Sequence, residues 1–178
     1  MVKTKKKKLI KKTFKKNKCN TKKKMLKAIC VLHPNKYNVN GIIYFYQVNK
    51  SKVKVVYDIT GLKDGKHGFH VHESGDLTHD CQSACGHFNP YNKNHGGPNS
   101  KERHVGDLGN IISIKGIAKN VFYDNYITLN MKKKNSIIGR AIVIHADEDD
   151  LGKKDNLESK TTGNAGKRLA CGIIGIVN

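Results

Sequence analysis

Short runs in which apolar and polar side chains alternate fill most of the chain from residue 25 onward. In "KVKVVYDI", Val53, Val55, Tyr57 and Ile59 fall on one face, which is the two-residue period of a half-buried strand. "MLKAICVLH" puts Leu26, Ala28, Cys30 and Leu32 on one face, and its other face, with Lys27, Ile29, Val31 and His33, is partly apolar as well. "GIIYFYQV" is rich in β-branched and aromatic residues. "GNIISIKG", "IAKNVFYD", "YITLNM", "GRAIVIHA" and "RLACGIIGIVN" continue in the same style. No segment carries a 3.6-residue period, and Gly, Asn and Asp separate the runs. The pattern predicts about eight short strands in an antiparallel sandwich or barrel.

Two polar stretches interrupt this rhythm, residues 73–108 and 146–168. Connections of that length in a compact domain are commonly functional. The first holds most of the histidines, so the chemistry is expected there.

Charge divides the chain into two parts. The sequence has 178 residues, 34 Lys and Arg against 14 Asp and Glu, and a net charge of +20. Thirteen of those lysines lie in residues 1–24, which hold no acid, so the rest carries 21 basic against 14 acidic groups, a net of +7. Residues 1–24 are therefore read as a basic disordered tail and residues 25–178 as one domain. The tail lacks the apolar core and cleavage site of a secretory signal, and no apolar run is long enough to span a membrane. It offers non-specific contact with polyanions, although Phe14 is the lone aromatic among its basic residues. Five cysteines, Cys19, Cys30, Cys81, Cys85 and Cys171, leave at least one thiol unpaired within a monomer.

In "HGFHVHESGD", His70 and His72 are two apart on a predicted strand, so their imidazoles share a face. "GHFNP", "HGGP" and "RHVGD" add His87, His95, His104 and Asp107, and the strand "GRAIVIH" ends in His145. Three imidazoles and a carboxylate, from residues 87, 95, 104 and 107, form a closed tetrahedral set of the type zinc accepts. His70, His72 and His145 form an all-nitrogen set suited to copper(II). If His87 gives one ring nitrogen to each, both sets reach four members. His33, His67 and His79 fall outside this scheme and are read as surface residues.

Together, "GFHVHESGD", "HFNP", "HGGP", "ERHVGDLGN", "GRAIVIHADEDDLG" and "GNAGKRLACGIIGI" resemble copper/zinc superoxide dismutases of the intracellular eukaryotic type, from about Met25 to Asn178. The resemblance implies an all-β, eight-stranded Greek-key barrel with two long functional loops. It implies copper on His70, His72, His87 and His145, and zinc on His87, His95, His104 and Asp107, with His87 bridging the two and handling a proton. Asp149 takes the place of the carboxylate joining a copper ligand to a zinc ligand, Arg168 that of the guanidinium receiving the anion, and Cys81–Cys171 that of a disulfide. Ile29, Val31, Ile138, Gly139, Ile173, Gly175 and Ile176 match a homodimer face. The implied function is superoxide dismutation by Cu(II)/Cu(I) cycling, with a copper chaperone among the partners to be tested. The implied place is the cytoplasm, or the host cytoplasm or virion if the Lys-, Asn- and Ile-rich chain comes from a large DNA virus.

Some positions depart from that pattern. Leu157-Glu158 stands where the family has an acidic pair, and Asp147 and Thr161 replace expected lysines, with Lys160 adjacent. Cys85 occupies a small-residue position and is either a bystander or a rival partner for Cys171. The alternative function is a catalytically inactive homologue that binds copper as a decoy or buffer, for which the mark would be a missing ligand.

Overall fold

A computed structural model describes residues 25–177. The reading of residues 1–24 as a disordered tail lies outside the described residues. The strands are β1 (Lys27–Leu32), β2 (Asn40–Gln47), β3 (Val53–Thr60), β4 (Gly65–His72), β5 (Thr78–Cys81), β6 (Asp107–Ser113), β7 (Ile117–Asp124), β8 (Ala141–His145) and β9 (Arg168–Val177). Eight of them form one antiparallel sheet in the order β6-β4-β8-β9-β1-β2-β3-β7. The terminal strands β6 and β7 are consecutive in sequence and joined by a tight turn in which Ile114 and Ile117 exchange backbone hydrogen bonds of 2.9 and 3.1 Å. The sheet therefore curls into a nearly closed barrel, as the alternating pattern predicted. Strand β9 holds the two halves together, its first part pairing with β8 and its last with β1.

Alternation sets the core. Val53, Val55, Tyr57 and Ile59 of β3 are buried while Lys54, Asp58 and Thr60 turn outward. Ala28, Cys30 and Leu32 of β1 are also inside, with Ile43, Phe45, Phe69, Ile111, Ile142, Ile144 and Ile174. Leu26, placed on the inner face by its pattern, is instead 45% exposed because it precedes the first paired residue of β1.

Strands β4 and β8 bury both faces near their ends. Phe69 and Val71 face the core with Ile142 and Ile144, whereas His70, His72 and His145 face outward beneath the two long connections. That cover makes two-sided burial possible for polar side chains. The second connection contains one helix, α1 (Leu157–Thr162), that periodicity did not reveal. Asn156 caps it by accepting from Ser159 N at 2.8 Å, and Gly163 ends it at φ +70°. A side chain at Gly163 would collide with Asp149 and His95, so glycine is needed here for space as well as for its backbone angle.

"YITLNM" is not a strand. Ile127 and Leu129 are buried as its alternation implies, but Thr128 Oγ1 and Leu129 N donate to the Gln47 side chain at 2.9 and 2.7 Å. A side chain takes part of the place of a neighbouring strand, so the segment packs without joining the sheet. Among the described residues, no helix is long and apolar enough to cross a membrane.

Candidate metal centre

The outward face of β4 presents His70 and His72, and β8 ends beside them in His145. The first connection turns back over these strands and contributes His87, which bridges to His72 at backbone level. The ring centroids of His70 lie 4.0 Å from His87 and 4.9 Å from His145, and those of His72 and His145 are 5.5 Å apart. One nitrogen from each of the four can be chosen so that all lie within 4.8 Å of one another.

Hydrogen bonds fix which nitrogen is free. His72 donates from Nδ1 to the Cys85 carbonyl at 2.8 Å, and His145 from Nδ1 to the Gly166 carbonyl at 3.2 Å. Both Nε2 atoms then carry lone pairs, and they sit 3.3 Å apart. His70 donates from Nε2 to Asp149 Oδ2 at 2.8 Å, leaving Nδ1 buried without a partner. His87 Nε2 is likewise buried and unpartnered. Burial of unpaired polar atoms is costly, so four converging lone pairs in a dry site fit a cation bound there.

On its other side His87 belongs to a second group. Nδ1 of His87, His95 and His104 lie 2.9, 3.0 and 3.1 Å from the same oxygen, Asp107 Oδ1. His95 Nδ1 has no hydrogen-bond geometry at that distance and counts as a further orphan. Asp107 Oδ2 is held by Gly96 N at 3.1 Å and His104 N at 2.7 Å, which sets the carboxylate's direction. Three nitrogens and a carboxylate at the start of β6 suit a tetrahedral N/O cation.

Asp149 joins the two groups. It is fully buried and accepts from His70 Nε2 and His95 Nε2, both at 2.8 Å. Each contact fixes a ring tautomer, the usual task of a carboxylate behind a metal-binding imidazole. Asn110 in turn holds Asp149 by both its backbone N and its carbonyl, at 2.8 Å each.

The electrostatics follow from burial and neighbours. Burial, then His87 and His145, pushes His70 and His72 well below the usual imidazole range. Burial and His87 also push His145 down to about 4. Burial works against a charge on His95, yet the Asp107 carboxylate 3.0 Å from Nδ1 and the hydrogen bond to Asp149 hold it up at about 9. Burial opposes the Asp107 carboxylate too, but hydrogen bonds from His104 and His87 and the His95 ring 3.0 Å away keep it far below the ordinary carboxylate range. The four-imidazole group is thus neutral and ready to ligate, whereas the other must shed a proton to take a cation.

Arg168 opens β9 and borders the four-imidazole group. Its guanidinium donates to the carbonyls of Cys81 and Cys85, both at 2.6 Å. Cys81 is bonded to Cys171 with Cα atoms 5.6 Å apart, tying the first connection to β9, and Cys85 is a free, exposed thiol. Lys160 is tied to the Gly152 carbonyl at 2.6 Å.

Three participants were not singled out in the sequence. His67, read there as a surface residue, is 2% exposed and lies 2.9 Å from the carbonyls of both His145 and Lys63. Its two-residue step to Phe69 was the available signal for an inward direction. Arg103 is buried, pairs with Asp124 at 2.8 Å and holds the carbonyls of His104 and Val105. Asn110 is the third. His33 and His79 are exposed, as expected.

A family model described as copper/zinc superoxide dismutase (SODC) matches residues 39–174. A Cu-Zn superoxide dismutase of Paramecium bursaria Chlorella virus 1 is 58% identical over 154 residues, covering 85% of this chain and 79% of the relative. Superoxide dismutase [Cu-Zn] 5 of Dictyostelium discoideum is 56% identical over 153 residues, covering 85% and 98%. A crystal structure of the clock protein EA4 superposes with a TM-score of 0.80 at 48% identity, over 85% of this chain and 94% of that one.

Proposed function

The chain belongs to the copper/zinc superoxide dismutase family, and we propose that His70, His72, His87 and His145 are its copper ligands and His87, His95, His104 and Asp107 its zinc ligands. It is an oxidoreductase that converts two superoxide anions and two protons to oxygen and hydrogen peroxide, with copper and zinc as cofactors. The observation that carries the assignment is the set of buried, unpartnered nitrogens His70 Nδ1, His87 Nε2 and His95 Nδ1. The inactive-homologue alternative has nothing to rest on, because no ligand position is vacant in the sequence.

Copper, when bound, supplies the one-electron exchange between its two oxidation states. The protein supplies the rest. Arg168 attracts and orients the superoxide anion with a charge that its two carbonyl contacts hold still. His87 would hold a proton at Nε2 whenever that nitrogen is not ligating and pass it to the product, the second proton coming from water, while Asp107 Oδ1 holds its Nδ1 at 2.9 Å. Asp149 holds His70 and His95 in the tautomers that leave their Nδ1 atoms free.

Residues 25–178 act as the enzymatic domain, and Ile29, Val31, Ile138, Gly139, Ile173, Gly175 and Ile176 form a homodimer face. Its apolar side chains support this, Ile173 at 49% and Ile176 at 47% exposed. The protein works in the cytoplasm or virion, and the lysines of residues 1–24 touch polyanions. Copper delivery by a chaperone is tested by loading the chain with copper salt alone.

The test combines metal analysis with a superoxide assay. One copper and one zinc per chain are expected, and His145→Ala should lose turnover while keeping zinc. Full turnover in that variant would overturn the copper assignment. Deleting residues 1–24 should leave metal content and turnover per site unchanged and weaken retention on heparin.

A further inference from the structure

The outward face of β1, β2, β3 and β7 takes no part in the metal centre. Strand register sets Val177, Lys27, Tyr46, Lys54 and Tyr123 side by side across five strands. The next row on the same face runs from Gly175 and Ile29, which belong to the proposed homodimer face, to Tyr44, Val56 and Val121. Lys27 Nζ lies 4.6 Å from the Tyr44 ring centroid and 5.5 Å from that of Tyr46, and Lys52 Nζ lies 5.7 Å from that of Tyr123. Tyr123 is 56% exposed. A shallow hollow of about 470 Å³ adjoins the rings, lined in part by Ile42, Tyr44, Val56 and Val121.

A solvent-facing sheet ordinarily mixes charges of both signs. Here cations and aromatic rings alternate along the first row, the second is uncharged, and neither row contains an acid. Asp58, one step further along β3, is already paired with Lys119 at 2.6 Å. Rings offer a stacking surface to any unpaired base, and adjacent ammonium groups meet the phosphates between bases. We propose that this face binds single-stranded nucleic acid, with bases on Tyr44, Tyr46 and Tyr123 and phosphates on Lys27, Lys52 and Lys54.

Two features favour this occupant over other polyanions. A sulfated polysaccharide or an anionic lipid surface is held mainly through the lysines and brings no planar π-face to the rings, and a duplex keeps its bases stacked inside. The row's first lysine, Lys27, also lies three residues after the lysine-rich segment 1–24 ends, so the two sources of positive charge are continuous along the chain. The segment itself has one aromatic residue, Phe14, and the sheet supplies three more rings.

The test is fluorescence anisotropy of a labelled oligothymidylate of about 20 nucleotides, with the full metal-loaded chain across a range of salt. Tyr46→Ala/Tyr123→Ala should weaken binding about tenfold or more at fixed salt and leave the salt slope unchanged. Tyr46→Phe/Tyr123→Phe should bind like the unmodified chain. Lys27→Gln/Lys54→Gln should reduce the slope of log affinity against log salt by about 1.4. Superoxide turnover should be unaffected in all three, which reports intact folding. Unchanged affinity in the alanine variant would overturn the proposal and leave residues 1–24 as the sole contact. Equal competition by heparin, anionic vesicles or duplex, charge for charge, would overturn it as well.

Discussion

Arg168 and His72 share one acceptor: the Cys85 carbonyl takes the guanidinium at 2.6 Å and the imidazole at 2.8 Å. The group assigned to the anion and a group assigned to the metal are therefore positioned by one peptide. Arg168→Ala should lower kcat/KM for superoxide about tenfold, within the range seen for focused charges, without loss of copper. Arg168→Lys should fall between, because it keeps the charge but not the fork that spans two carbonyls. Pulse radiolysis with parallel metal analysis measures both, and an alanine variant at full efficiency would place the anion elsewhere.

The same peptide is strained. Cys85 has φ +63° and ψ −152°, a region reserved almost wholly for glycine. Cys85→Gly should be more stable than Cys85→Ala by about 1–2 kcal/mol, since both remove the thiol and only one removes the strain. Urea midpoints of the two variants decide this, and equal midpoints would refute it.

Asp149→Asn keeps the shape of the side chain but leaves only one oxygen for two imidazole N–H groups. One of His70 and His95 must then lose its partner or turn over. Metal affinity should drop about 10–100-fold, read by competition with a chelator. Unchanged affinity at both sites would show that the rings are oriented without it.

The metal-free protein should be most stable near pH 6.5–7. His145, whose folded value is pushed to about 4, binds fewer protons folded than unfolded between about 4 and 6.5, so stability is lost as pH falls through that window. At pH 5 this amounts to about 2 kcal/mol for this one residue, and His70 and His72 act in the same direction. His95, held up at about 9, gives stability that is complete below about 6.5 and lost as pH rises through 9. Urea titrations of the metal-free protein at pH 5, 6.5 and 8.5 should give the highest midpoint in the middle, and a steady trend across the three would contradict it.

Both candidate groups, which the fold does bring together, could be picked out in the sequence because the residue types are rare together and His70, His72 and His145 lie at strand ends, where face and spacing are set by a two-residue period. Arg103 could not: alone it reads as a surface cation, and its partner Asp124 is brought to it only by the turn of the barrel. Asn110 acts on backbone atoms of residue 149, which no side-chain pattern encodes. The helix α1 is too short to show a period and is set by its caps. "YITLNM" looked like a strand because apolar and polar residues alternate along it; the missing information was that Gln47 would take its hydrogen bonds and Thr128 would be buried with Ile127 and Leu129.

The two ligand groups also differ in how much chain separates their members. His87 and Asp107 are 20 positions apart and frame a single connection, whereas His72 and His145 are 73 apart and meet only when β4 pairs with β8. Closing the shorter loop carries the smaller entropic cost and awaits no distant strand, so a refolding chain can gather the carboxylate-containing group before the barrel is complete. The all-imidazole group has no such early form. A half-folded chain can therefore complete only one of the two groups, and the all-imidazole one waits for the pairing of β4 with β8.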